Sequence, residues 1–80
     1  MMPAQCRAAR AWLELSQESL AKAAGVSLST VRDFEAGRRN PISNNLAAMR
    51  RELEARGVRF TFSANGEIDG IHYPSRIETT

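Results

Sequence analysis

The sequence predicts a mostly α domain of four short helices followed by a C-terminal β-hairpin. Three observations carry this expectation. Apolar residues recur at helical spacing as far as Leu53. Gly25, Gly37 and Gly57 interrupt that pattern, and a helix commonly stops at a left-handed residue that Gly adopts without steric cost. From Val58 the spacing changes to alternation. Val58, Phe60 and Phe62 are separated by Arg59 and Thr61, with Asn65-Gly66 as a turn signal.

The first helix reads from Pro3 to Leu15, with Pro3 suited to a first turn and Cys6, Ala9 and Leu13 at helical spacing. Ser16 is the expected N-cap of a second helix from Gln17 to Ala24, with Glu18 at the positive end of its dipole. Leu20, Ala21 and Ala24 share one side of it, and Gly25 ends it. Ser27 caps a third helix, Leu28 to Ala36, with Val31 and Phe34 inward and Gly37 as its stop. Arg38-Arg39-Asn40-Pro41 is a basic polar loop. Ser43 is the expected cap of a fourth helix, Asn44 to Arg56, which buries Leu46, Met49 and Leu53.

Two hairpin registers are possible. A three-residue loop of Ala64-Asn65-Gly66, with Gly66 left-handed, pairs Phe62 with Ile68 and Phe60 with Gly70. It gathers the apolar residues on one face and is preferred over a two-residue loop for that reason. Beyond Tyr73 and Pro74 the tail is polar and expected to fray. The chain thus divides into 1–57, the hairpin extension 58–73 and a polar tail 74–80.

Eighty residues with 42% hydrophobic content fit one domain with one modest core, which leaves no room for a substrate cleft between lobes. The net charge of +2 says little, but ten of the eleven basic residues are Arg, whose planar fork of donors suits phosphates and base edges. A solvated Arg-rich surface would give the same count. Cys6 is the only cysteine, which excludes an intrachain disulfide and a cysteine metal cluster, and it is expected to act as a small core residue. No run of ~18 apolar residues suits a membrane span, and no apolar signal region opens the chain. A soluble cytoplasmic protein without cofactor or metal is the expectation. His72 stands alone near a strand end and reads as surface.

The most informative segment runs from Gln17 to Phe34. Gln17, Ala21, Gly25, Val31 and Phe34 fall at offsets 1, 5, 9, 15 and 18 of one window. Ala21 is small where two helices cross, Gly25 makes the turn between them, and Val31 with Phe34 buries the second helix. Ser27, Leu28, Ser29, Arg32 and Asp33 are left facing outward, the set that would meet a DNA major groove. A plain αα-hairpin also has a Gly turn, but it does not require all five residues at these offsets.

The stretch from Gln17 to Pro41, with Leu20-Ala21, Gly25-Val26-Ser27, Thr30-Val31 and Phe34-Glu35-x-Gly37, resembles the XRE family of lambda-repressor-like and Cro-like helix-turn-helix regulators. The resemblance implies a lambda repressor-like four-helix domain that inserts its third helix into the major groove, commonly as a dimer on two half-sites. By position, it implies that Gln17 donates to a phosphate and that Ser27, Leu28, Ser29, Arg32 and Asp33 face bases. Thr30, Arg38, Arg39, Asn40 and Asn44 would meet the DNA backbone. Arg10 and Glu35 match a structural pair that ties the first helix to the third.

The recognition face departs from the usual polar pattern. Leu28 stands where many relatives hydrogen-bond, and an apolar side chain there suits a thymine methyl. Asp33 could accept from a cytosine amino group or pair with Arg32 or another nearby Arg. Few direct base contacts would leave part of the specificity to DNA shape.

The hairpin also departs from the family, which usually continues with another helix. A lone hairpin is marginal in water, so its apolar face must meet something. Either it covers the helical core, or its strands pair with a second subunit in a homodimer. The second is the expectation, with Val58, Phe60, Phe62 and Ile68 at the contact. Trp12 lies one position off the core line of the first helix, with hairpin packing, subunit contact and half exposure all open. The leading function is a sequence-specific double-stranded DNA-binding regulator. An antitoxin-type protein whose C-terminal part holds a protein partner is the alternative. An adaptor without DNA binding fits poorly with Arg38-Arg39, and no nucleophile–base spacing suggests an enzyme.

Overall fold

The elements follow one another as α1 (Pro3–Leu13), α2 (Gln17–Ala24), α3 (Leu28–Glu35), α4 (Ser43–Ala55), β1 (Arg59–Phe62) and β2 (Ile68–His72). The computed structural model describes residues 1–62, 64 and 68–72, and only the backbone of 62, 68 and 69. The expectations about Asn65-Gly66, about Phe62 and Ile68 as contact side chains, and about the tail from Tyr73 lie outside the described residues.

All four helices end in the same way; α3 closes through Arg38 N–H on the Asp33 carbonyl at 2.9 Å across Gly37 (φ 76°), and the other three close onto an apolar residue. Val26 N–H donates to the Ala21 carbonyl at 3.0 Å, Leu15 N–H to Arg10 at 2.9 Å, and Val58 N–H to Leu53 at 3.3 Å. Each bond spans a left-handed residue: Gly25 (φ 73°), Glu14 (φ 55°) and Gly57 (φ 102°). This closure satisfies a terminal carbonyl and turns the next apolar residue back towards the helix it leaves. At α4 it delivers Val58 onto the core.

Both ends of α2 fall where its sequence marks them. The Ser16 hydroxyl accepts from Ser19 N–H at 3.0 Å, and Gly25 closes the other end. Four other boundaries are corrected, one of them the end of α4, at Ala55 with Arg56 as its C-cap rather than at Arg56. α1 ends at Leu13 rather than Leu15, because Glu14 takes the left-handed position without being Gly. α3 ends at Glu35, with Ala36 as its C-cap. α4 begins at Ser43, which is its first helical residue and not its cap. Ile42 occupies the cap position, with no side-chain cap bond.

One apolar cluster joins all four helices to the hairpin. Cys6 and Ala9 of α1, Leu20 of α2, Val31 and Phe34 of α3, Met49 and Leu53 of α4, and Val58 and Phe60 are all buried in it. The expected role of Val58 and Phe60 at a subunit contact is therefore corrected. They are 1% and 6% exposed within a single chain, so the hairpin covers its own helices with these side chains.

A latch fixes the hairpin there. The buried Gln5 accepts from Met2 N–H at 2.8 Å and donates through Nε2 to the Gly70 carbonyl at 2.8 Å. The first contact is half of a capping box at the start of α1, while the second ties α1 to β2.

The strands are antiparallel, with Phe62 opposite Ile68 as expected. The expected pairing of Phe60 with Gly70 is corrected, since Thr61 faces Gly70 and Phe60 faces Ile71. A bulge at Asp69 accounts for the shift, because two residues of β2 then oppose one of β1. It places Ile68 and Ile71, three positions apart, opposite Phe62 and Phe60.

Candidate nucleic-acid interface

Helical periodicity sorts α3 into two faces. Val31, Phe34 and Glu35 point into the protein, while Ser27, Ser29 and Arg32 are exposed. Thr30 and Asp33 are half-buried at the border. Leu28, expected to face bases outright, is also half-buried and packs partly against the core.

The first turn of α3 is organised by its cap. The Ser27 hydroxyl accepts from Thr30 N–H at 3.1 Å. It also lies 3.1 Å from the Ser29 hydroxyl and 2.7 Å from that of Thr30. These three short side chains hold one another in place at the positive end of the helix dipole.

Asp33 is ion-paired within the chain. Its Oδ1 accepts from Arg38 Nε at 3.3 Å and NH2 at 3.2 Å, so its partner in the free protein is Arg38 and not Arg32. The Asp33 carbonyl also accepts from Arg38 N–H at 2.9 Å and Arg39 N–H at 3.3 Å, which folds the loop back beside α3. Arg38, Arg39 and Asn40 are exposed there, and Asn44 is exposed in the first turn of α4. The result is a continuous surface in which the one exposed-side carboxylate, Asp33, is already matched by a cation.

Between α3 and the loop lies an open cleft of about 240 Å³. Ser29, Thr30 and Asp33 form one wall, and Arg39, Asn40 and Ile42 form the other. Sequence reasoning did not single out Ile42.

The scaffold beneath this face converges on Glu35. Arg10 donates to both carboxylate oxygens, Nε to Oε2 at 2.7 Å and NH2 to Oε1 at 2.6 Å. Gln17 Nε2 adds a bond to Oε1 at 2.9 Å, and the Cys6 thiol one to Oε2 at 3.0 Å. Arg10 NH1 also reaches the Leu15 carbonyl at 3.0 Å, and Arg7 donates to the Glu35 carbonyl at the end of α3. Four donors fill the roughly four lone-pair positions of a carboxylate.

Burial alone would raise the Glu35 carboxyl, but the bonds from Arg10, Cys6 and Gln17 outweigh it and hold its pKa below the usual range. Burial, with the Glu35 carboxylate beside it, pushes the Cys6 thiol up, so Cys6 stays a protonated donor. The Arg10–Glu35 pair implied by the resemblance is present. Gln17 sits at the same hub with its amide engaged by Glu35.

The acid sensitivity follows with a definite sign. A carboxyl with a depressed folded pKa contributes stability that is present above its unfolded value of about 4.3 and is lost as pH falls through the folded value. The urea midpoint is therefore expected to fall below about pH 4, and Glu35→Gln should remove part of that dependence. An unchanged pH profile in the variant would show that other groups dominate.

Among the described residues no group of His, Cys, Asp and Glu is placed to hold a metal ion. No helix among them is long and apolar enough to cross a membrane. A family model described as helix-turn-helix matches residues 7–55, from within α1 to the last residue of α4. No curated protein matches the chain.

Proposed function

The chain belongs to the helix-turn-helix family as an XRE-like DNA-binding domain, and from that premise we propose that it is a sequence-specific repressor of transcription acting as a dimer. The observation that carries the reading is the surface of α3 and the loop after it. Ser29 and Arg32 are exposed on the helix, Arg38 and Arg39 lie beside it, and Asp33 is paired with Arg38.

The eight residues of α3 make a helix about 12 Å long, which suits insertion of one end into a groove. In this reading Ser27, Leu28, Ser29 and Arg32 address bases, and Asp33 does so on exchanging Arg38 for a cytosine amino group. Arg39, Asn40, Thr30, Asn44 and Gln17 address the backbone. Glu35 holds the Gln17 amide in a fixed orientation at the start of α2.

A single α3 covers few base pairs, so two half-sites and a two-fold dimer give the specificity a regulator needs. Val58 and Phe60 are inside the chain, so in this reading the subunit contact falls to the β1 edge, where Arg59 and Thr61 are exposed.

Selection of bound duplexes from a random pool, followed by salt titration of the selected sequence, tests the proposal. An enriched two-part motif and a slope of about −0.9 per neutralised phosphate are expected. Arg39→Ala should weaken all duplexes alike and make the slope shallower by about 1, whereas Ser29→Ala should change preference at one position. A flat slope with no enriched motif would refute DNA recognition.

A further inference from the structure

We infer that Ile42 is a DNA-contact residue that packs on the apolar face of a backbone deoxyribose, beside a phosphate held by Arg39. The inference rests on the DNA-binding reading above and adds to it an uncharged contact at the rim of the interface.

Ile42 is 69% exposed, against 49% for Met2 and 39% for Trp12, the other exposed large apolar residues among those described. Scattered exposed apolar side chains are ordinary. Ile42 differs in its position and in what surrounds it. It occupies the N-cap of α4, with φ −60° and ψ 153°, and gives that helix no side-chain cap bond. Ser, Thr, Asp or Asn there would accept from the first turn, and an aliphatic residue forgoes that stabilisation. Departures from local preference concentrate where a residue serves another purpose.

The surroundings define that purpose. Ile42 shares a cleft wall with Arg39 and Asn40, facing Ser29 and Thr30 of the recognition helix. On the opposite wall Asp33 is engaged by Arg38, which leaves Arg39 as the cation on the Ile42 side. A wholly apolar occupant would strip water from Arg39 and Asn40 without replacing it. A wholly polar occupant would leave Ile42 in water. A nucleic-acid backbone answers both, because anionic phosphates alternate with sugar rings whose carbon atoms are apolar. The loop places a guanidinium and an aliphatic side chain three residues apart in the same order of chemistry.

The test compares wild type with Ile42→Ala, Ile42→Leu and Ile42→Ser, using the selected duplex and an unrelated duplex over a salt series. Ile42→Ala should lose about fivefold in affinity on both duplexes, on the scale of one or two methylene groups removed from an apolar contact. Its salt slope should equal that of wild type, and Ile42→Leu should restore most of the loss. Ile42→Ser should gain a cap and melt about 4 °C higher while binding more weakly than wild type. Exposure of the side chain keeps all three variants folded, as circular dichroism would verify.

Unchanged affinity for Ile42→Ala overturns the inference and leaves DNA binding itself intact. A loss confined to the selected duplex, or a changed salt slope, also overturns it by assigning Ile42 to a base or an ionic contact. If wild type binds no duplex, the underlying DNA reading fails with it.

Discussion

Glu35→Ala is expected to destabilise the protein by about 3–5 kcal/mol, because it leaves the Arg10 guanidinium largely buried without its counter-charge. The Arg10 and Glu35 side chains are 18% and 2% exposed, so water cannot readily replace the lost partner. Gln17 and Cys6 lose acceptors in the same step. A domain of this length has a total stability of roughly 4–12 kcal/mol, so the change removes a large share of it and the variant should unfold at a much lower urea concentration than wild type. Arg10→Met should be similarly damaging, since it strands the carboxylate instead. The double variant Arg10→Met/Glu35→Ala should cost less than the sum of the two single changes, because neither charge is then left alone. Chemical denaturation of the four proteins gives the cycle. A cost below about 1 kcal/mol for Glu35→Ala would mean that the hub is dispensable.

Phe60→Asp is expected to unfold the chain rather than to release folded monomers. Phe60 is 6% exposed and lies in the cluster with Met49 and Leu53, where a carboxylate would lose most of its water. Arg50, 5.9 Å from the ring centroid, adds a cation–π contact that the substitution also removes. Phe60→Ala isolates the packing loss, expected at about 3–5 kcal/mol. Circular dichroism together with sedimentation separates the outcomes. A well-folded Phe60→Asp monomer beside a dimeric wild type would return Phe60 to the subunit contact and remove it from the core.

The same residue shows where the sequence is informative and where it is not. Alternation from Val58 to Phe62 is enough to mark a strand with one apolar face, but it does not say whose core that face meets. That depends on the turn at Gly57 and on the Gln5–Gly70 bond, two long-range consequences of local geometry. α2 was legible in full because Ser16 and Gly25 mark both of its ends. The end of α1 was not, because Glu14 carries no sign of the left-handed backbone it adopts. Ser43 has the chemistry of a cap yet lies one position inside α4. The bulge at Asp69 has a faint signature in the odd spacing of Ile68 and Ile71, which simple alternation cannot place on one face.

At the interface, the outward set on α3 followed from periodicity, and the Arg10–Glu35 pair from resemblance. Cys6 and Gln17 joined that pair across 29 and 18 residues of chain, a convergence that no local pattern encodes. The Arg38 partner of Asp33 was within reach of sequence reasoning only as one of several nearby cations.

The bond from Gln5 to Gly70 also has a temporal side. It joins residues 65 positions apart, so the first helix leaves the ribosome well before its last partner exists. At about 5–20 residues per second, that interval is roughly 3–13 s. During it the nascent helices lack the cover that Val58 and Phe60 later provide, and the apolar floor of the domain is open to chaperones and to neighbouring chains. The hairpin is thus made after the helices it covers, and the core stays open until it arrives.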